Sequence, residues 1–128
     1  MKKDKPKKIK LLLVDDHPIV LDGIKSHLCA QPDFEVVGDA ANGQEALRKA
    51  KLTLPDVILM DISMPLMDGI AAAKAIRAAD ADACILMLTG SNSRTDVDQA
   101  RQAGAAGYVT KDRIAAELID AILEVVPR

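Results

Sequence analysis

The chain has 128 residues, of which 49% are hydrophobic, with one Phe, one Tyr and no Trp. This length fits a single domain whose core must be filled by aliphatic side chains, and the lack of any apolar run near 20 residues excludes a membrane-spanning helix. Residues 1–10 carry six Lys against Asp4, which leaves 11 basic and 18 acidic side chains, a net charge of −7, in the rest.

The hydrophobic pattern after the basic start alternates between strands and helices. Residues 9–14 (IKLLLV) form a continuous apolar run, which is typical of a strand covered on both faces. Asn42, with Glu45 three residues later, indicates a capped helix start. In chain order we predict strand 9–14, a helix from Pro18 that Gln31–Pro32 ends, strand 34–40, helix 45–52, strand 56–60, helix 69–79, strand 83–89, helix 94–103, strand 107–110 and helix 113–126.

Five strand–helix units in strict alternation predict an α/β fold with a parallel sheet and helices on both faces. We interpret residues 1–8 as a flexible basic leader, residues 9–126 as one domain and residues 127–128 as a tail. A Lys-rich terminus can bind nucleic acid or acidic lipid, but a short one with Pro6 and no Arg or aromatic neighbour is more often solvated.

The two cysteines, Cys29 and Cys84, have no CxxC spacing. We expect both to be small buried side chains in a reducing compartment, without a disulfide. No signal-peptide pattern follows the basic start, so we expect a cytoplasmic protein without membrane contact.

Polar side chains gather where the predicted strands end. Asp15 and Asp16 follow the first strand, Asp61 the third, Thr89 ends the fourth, and Thr110–Lys111 end the fifth. Ligands of open parallel sheets bind beyond the carboxyl ends of the strands, so we expect these residues to share one edge.

Three carboxylates at that edge would repel one another unless a cation compensates for their charge. Oxygen ligands without a set of Cys or His residues favour Mg²⁺, which commonly shares its coordination sphere with phosphate. Lys111 offers a second positive charge and Thr89 a hydroxyl donor, both suited to phosphoryl oxygens. The set is therefore equipped to accept a phosphoryl group onto an Asp.

The motifs "LLLVDDHP", "ILMDISMPLMDG", "MLTG" and "AGAAGYVTK" together resemble the receiver domain of bacterial two-component response regulators, over about residues 9 to 126. "DDHP" and "GAAGYVTKD" are most similar to the subgroup that precedes helix-turn-helix DNA-binding domains. The resemblance implies a flavodoxin-like (βα)5 sandwich with the five-stranded parallel sheet in order 2-1-3-4-5.

The resemblance also implies a role for each site residue. Asp61 would be the phosphoacceptor, and Mg²⁺ would be held by Asp16, Asp61 and the backbone carbonyl of Ser63, with Asp15 acting through water. Lys111 would pair with Asp61 and later with its phosphoryl oxygens.

For the conformational switch, the resemblance implies that Thr89 swings in to bind the phosphoryl group and that Tyr108 turns inward on activation. Pro65 and Gly69 would set the backbone of the loop after the acceptor. Many receivers place a cis-bonded Pro after the Lys. This chain has Asp112 there, so a cis bond is doubtful and Asp112 is expected to cap the last helix.

As a receiver, the chain would take its phosphoryl group from a sensor histidine kinase, lose it slowly by its own action, and act as a switch rather than a turnover enzyme. We expect a possible homodimer through the face of helix 4, strand 5 and helix 5. DNA binding would need an output domain absent from this chain.

Two other functions remain open. A Mg²⁺-dependent phosphatase with an Asp nucleophile would need a second Asp where Ser63 stands, and an interaction module would leave the acceptor site idle. His17 could be a metal ligand or proton donor, although shaping the start of the first helix is favoured because His is a poor partner for Mg²⁺.

Overall fold

The structure is a computed structural model that describes residues 8–62, 64, 68–90 and 94–127. Within the predicted leader only Lys8 is described, and Ser63 and Pro65 lie outside the described residues. In chain order the elements are β1 (Ile9–Val14), α1 (Pro18–Cys29), β2 (Phe34–Ala40), α2 (Gly43–Thr53), β3 (Val57–Asp61), α3 (Gly69–Ala79), β4 (Ile85–Thr89), α4 (Arg94–Gln102), β5 (Gly107–Thr110), a 3-10 helix (Lys111–Arg113) and α5 (Ile114–Val125).

The five strands form one parallel sheet in the order β2-β1-β3-β4-β5, which confirms the predicted topology. From β1 the chain adds β2 on one side and β3, β4 and β5 on the other, so the direction of winding reverses between β1 and β3. That reversal opens a crevice at the carboxyl ends of these two strands. It is the place where the polar residues were predicted to meet.

Both faces of the sheet are covered, because alternate residues of each strand point to opposite sides. Leu11 and Leu13 of β1 belong to a core cluster with buried residues of α1 and α5. Leu12 and Val14 belong to a second cluster with buried residues of α2, α3 and α4. This explains why the last four residues of β1, Leu11–Val14, are all apolar rather than alternating with polar residues.

The second and third helices start at polar caps. The Asn42 side chain accepts a hydrogen bond from the Glu45 backbone N–H at 2.9 Å, as predicted, and Glu45 Oε1 accepts one from the Ala41 N–H at 3.3 Å. Asp68 caps α3 in the same way by accepting from the Ala71 N–H at 2.8 Å.

The prediction that Asp112 caps the last helix is wrong. Asp112 lies within the 3-10 turn that follows β5, and α5 begins only at Ile114, with Arg113 at the cap position and no side-chain cap bond. The tight turn separates Asp112 from the first turn of α5. No cis peptide bond occurs in the described residues, so the bond between Lys111 and Asp112 is trans.

The prediction of two buried cysteines is wrong for Cys29, which is exposed, and confirmed for Cys84. Helix α1 buries Ile24 and Leu28, and Cys29 follows one residue later, about 100° around the helix axis. Cys84 Sγ lies 3.2 Å from the Val125 carbonyl oxygen. Burial raises the pKa of the Cys84 thiol, and Arg77 opposes the shift in pKa more weakly.

Among the described residues, no helix combines the length and the apolar character needed to cross a bilayer.

We predict that Gly69→Ala destabilises the protein by about 1–3 kcal/mol, because a Cβ at this position would lie 2.1 Å from the Asp61 carbonyl oxygen and 2.8 Å from the Ile62 Cα. These are backbone atoms that cannot rotate away. Gly23→Ala is the matched control, since nothing lies within 4 Å of its Cβ, and Ala in a helix should stabilise it by about 0.5–1 kcal/mol. Urea unfolding measures both, and equal changes in unfolding free energy would contradict the structure.

We predict that a disulfide reagent modifies one thiol rapidly in the folded protein and the second only on unfolding. Cys29 is exposed, whereas Cys84 is buried and its raised pKa lowers its thiolate fraction. The rapid phase should disappear in Cys29→Ser and persist in Cys84→Ser. Two equally fast phases in the native protein would show that Cys84 is accessible.

Candidate functional site

The carboxyl edge of the sheet is where buried polar side chains occur. Within the part of the chain that the structure describes, the buried polar or charged residues are Asp15, Asp61, Thr89 and Thr110. Asp61, Thr89 and Thr110 are the last residues of β3, β4 and β5, and Asp15 directly follows β1. Since burying a carboxylate is costly unless its charge is paired, two buried Asp residues at this edge make it the candidate functional site.

Four side chains at this edge converge closely enough to hold one metal ion. Asp15, Asp16, His17 and Asp61 each offer a ligand atom, and these atoms all lie within 4.8 Å of one another. The structure therefore brings together the three carboxylates that the sequence predicted. It adds His17, for which helix shaping had been favoured.

Lys111 is the cation of the cluster. Its Nζ lies 3.2 Å from Asp61 Oδ2 and 3.5 Å from Asp15 Oδ2. Lys111 opens the 3-10 helix immediately after β5, which places its side chain across the sheet edge from β1 and β3. Three carboxylates and one ammonium leave two negative charges, without counting His17.

The excess negative charge fits a divalent cation. Two unit charges 4.8 Å apart repel by about 3.5 kcal/mol at an effective dielectric constant of about 20. Asp15 Oδ2 is buried and accepts no hydrogen bond from the described residues. Carboxylate oxygens suit Mg²⁺, so Asp15, Asp16 and Asp61 fit the ion that was predicted. The remaining predicted ligand, the Ser63 carbonyl, lies outside the described residues.

Backbone hydrogen bonds hold the two buried carboxylates in place. The Asp15 N–H donates to the Ala40 carbonyl oxygen at 3.0 Å, and Asp15 Oδ1 accepts from the His17 N–H at 2.8 Å. After Asp61, the Ile62 N–H donates to Leu88 at 3.0 Å, and the Ile62 carbonyl accepts from the Gly69 N–H at 2.8 Å. The chain on both sides of the metal cluster is thus tied to the sheet.

The two predicted switch residues lie on neighbouring strands but in different environments. Thr89 is paired with Thr110 in the β4–β5 ladder, two positions beyond the pair of Met87 and Tyr108. Thr89 is buried, whereas Tyr108 is 41% exposed. Tyr108 and Arg101 of α4 line an open cavity of about 470 Å³, so the phenol lies on the α4 side of β5.

A second open cavity, of about 500 Å³, borders the metal cluster. Asp16, Met64, Asp68 and Asp96 are among its lining residues. Asp96 is not predicted from the sequence, and no local pattern indicates it, because Asp96 lines the same cavity as Asp16 only once α4 lies against the sheet.

Comparisons with known proteins agree with this geometry. The family model described as "Response regulator receiver domain" matches residues 11–123. The uncharacterized transcriptional regulatory protein YxjL of Bacillus subtilis is 44% identical over 122 residues, which is 95% of this chain and 55% of that protein. The transcriptional regulatory protein LiaR of the same organism is 46% identical over 114 residues, 89% of this chain and 54% of that protein.

Solved structures show the same architecture. The signal receiver domain of the putative response regulator NarL from Mycobacterium tuberculosis has a TM-score of 0.88 and 37% identity, and the match covers 93% of this chain and 96% of that one. The chemotaxis protein CheY4 of Vibrio cholerae has a TM-score of 0.85 and 32% identity, covering 93% and 99%.

This chain spans about half the length of the curated relatives that it matches. The family match nevertheless runs from β1 into α5 and includes every strand end that carries a site residue. The chain therefore belongs to the response regulator receiver domain family of two-component signalling.

Proposed function

We propose that Asp61 is the phosphoacceptor of a signalling switch that receives its phosphoryl group from the phosphohistidine of a sensor histidine kinase. The observation that carries this proposal is the surrounding of Asp61. Its carboxylate is buried at the end of β3, has Lys111 Nζ 3.2 Å away, and shares a metal-sized cluster with Asp15 and Asp16.

In the reaction, a carboxylate oxygen of Asp61 attacks phosphorus while the bond from phosphorus to the donor's imidazole nitrogen breaks, and the bonding electrons return to that nitrogen. Lys111 is placed to offset negative charge on the phosphoryl oxygens as they approach Asp61. When bound, Mg²⁺ would neutralise further charge on these oxygens and on the carboxylates. Asp16, Asp61 and the Ser63 carbonyl would hold it, with Asp15 acting through water.

The acyl phosphate would change the preferred conformation of two further residues. The Thr89 hydroxyl would donate a hydrogen bond to the phosphoryl group, and Tyr108 would leave its exposed position beside α4 and turn inward. Thr89 lies on β4, and Tyr108 lies on the adjacent strand β5, two positions before the residue that pairs with Thr89. Phosphorylation would then shift an existing equilibrium at the face formed by α4, β5 and α5.

That face is the surface through which we expect the signal to leave the domain, either to a second copy of the chain or to an output domain. The curated relatives named above are transcriptional regulators, and the match to this chain covers 55% and 54% of their length. A DNA-binding output domain in a longer parent protein would account both for the kind of relatives and for their greater length. We propose that this protein works in the cytoplasm and that residues 1–8 are its leader.

The alternatives are less well supported. A phosphatase using Asp61 as nucleophile would need a second carboxylate two positions later, where the sequence has Ser63. An interaction module that ignores phosphorylation would not need charged groups buried at the strand ends. We therefore propose a switch with slow loss of its phosphoryl group rather than a turnover catalyst.

We predict that the protein gains the mass of one phosphoryl group when incubated with acetyl phosphate and Mg²⁺, and that Asp61→Asn gains none. An amide lacks the nucleophilic charge of the carboxylate. Asp120→Asn is the matched control, because Asp120 is an exposed carboxylate on α5. Intact-mass spectrometry measures the gain, and a modified Asp61→Asn protein would place the acceptor elsewhere.

We predict that Lys111→Met slows this phosphorylation while it raises the affinity of the unphosphorylated protein for Mg²⁺ by about fivefold. Without the ammonium, no lysine offsets the negative charge of the three carboxylates. A divalent cation therefore binds with a more favourable free energy. Lys25→Met is the control, since Lys25 pairs with Asp39 away from the site. Calorimetry reports the affinity, and weaker Mg²⁺ binding by Lys111→Met would contradict the electrostatic account.

A further inference from the structure

We propose that the imidazole of His17 is a direct ligand in this receiver's metal site, so that the site takes a first-row transition ion such as Mn²⁺ or Ni²⁺ through one nitrogen and the three carboxylates. For such an ion Asp15 would bind directly, and not through water as proposed for Mg²⁺. The inference deepens the proposed function, because it concerns the ion that would assist phosphorylation of Asp61. It assigns a role to a residue that an oxygen-only magnesium site does not use.

The distances around the His17 ring match a coordination sphere. Nδ1 lies 3.2 Å from Asp15 Oδ1 and 3.1 Å from Asp16 Oδ1. In an octahedron with metal–ligand bonds of about 2.1 Å, adjacent ligand atoms are about 3.0 Å apart. The ring nitrogen therefore lies from each of the two carboxylate oxygens at nearly the distance expected between neighbouring ligands, and Asp61 offers a further ligand atom within the same 4.8 Å cluster.

A second observation independently points to a cation at this place. Asp15 is almost fully buried, and its Oδ2 atom accepts no hydrogen bond from the described residues. Buried carboxylate oxygens usually have a hydrogen-bond donor or a metal ion beside them. Lys111 Nζ lies 3.5 Å from this oxygen, which makes an ion pair but no hydrogen bond, so a metal ion would add a closer interaction.

The position of the ring is not explained by helix capping. His17 occupies the cap position of α1, where a side chain commonly accepts a hydrogen bond from the first turn, but it makes no such bond. The ring is turned toward the carboxylates instead, with Nδ1 within hydrogen-bonding distance of Asp15 Oδ1. Because the side chain is 60% exposed, it can move by a fraction of an ångström into coordination without disturbing the core.

An imidazole ligand changes which ions the site prefers. Mg²⁺ favours oxygen donors and retains water, whereas Mn²⁺, Co²⁺ and Ni²⁺ accept imidazole nitrogen, with affinity rising along that series. His17 should therefore add little to Mg²⁺ binding and much to Ni²⁺ binding. The ratio of the two affinities isolates the contribution of the ring from that of the carboxylates, which both ions share.

The test is isothermal titration of the protein with Ni²⁺ and, separately, with Mg²⁺, for the unaltered chain, His17→Ala and His27→Gln. We expect His17→Ala to lower Ni²⁺ affinity by about tenfold or more and Mg²⁺ affinity by less than about threefold. His27→Gln is the control, because His27 lies on α1 outside the metal cluster. The exposed thiol of Cys29 is common to all three proteins and cancels in the comparison.

Pulsed electron paramagnetic resonance of the Mn²⁺-loaded protein gives a second readout. The unaltered chain and His27→Gln should show modulation from one coordinated imidazole nitrogen, and His17→Ala should show none. An unchanged Ni²⁺ to Mg²⁺ ratio, or a Mn²⁺ spectrum without nitrogen modulation in the unaltered chain, would overturn the inference. If the protein still accepts phosphate from acetyl phosphate in that case, only the role of His17 fails and the proposed phosphoacceptor stands.

Discussion

The constraint on which this molecule depends is the mutual repulsion of carboxylates that the sheet places side by side. Val14 and Met60 are register partners in the β1–β3 ladder, so the residues that follow them, Asp15 and Asp61, lie next to each other at its end. Both are buried, and the nearby ammonium of Lys111 offsets only part of their charge. The domain is therefore built around a site with an excess of negative charge.

The domain can fold despite this excess of negative charge because the rest of it is well packed and hydrogen-bonded. Aliphatic clusters on both faces hold the sheet, and backbone hydrogen bonds secure the chain around each carboxylate. The Gly69 N–H donates a hydrogen bond to the Ile62 carbonyl oxygen, which ties the start of α3 to the chain that follows β3. These interactions keep the carboxylates together despite the free-energy cost of their repulsion and desolvation. Binding of a cation or addition of a phosphoryl group would change that cost.

The near absence of aromatic residues gives the two that exist distinct positions. Phe34 is buried at the start of β2, whereas Tyr108 is substantially exposed on β5 beside α4. The exposure of Tyr108 is compatible with the switching role proposed for it, since an exposed ring can move without disrupting the core.

The sequence by itself determined the order of strands and helices and the burial of β1 on both faces of the sheet. It also determined the Asn42 cap and the convergence of Asp15, Asp16, Asp61 and Lys111. These follow from local periodicity and from the rule that parallel strands end at one edge. The motif resemblance supplied the strand order, which local patterns do not contain.

Only the tertiary structure decided the contact of His17 with two carboxylates, the exposure of Cys29 and the 3-10 turn that separates Asp112 from α5. Each depends on a rotation: of a ring about its side-chain bonds, of a helix about its axis, or of the backbone between a strand and a helix. Composition and spacing leave such rotations undetermined, because several of them satisfy the same hydrophobic pattern. Contacts with distant parts of the chain select one.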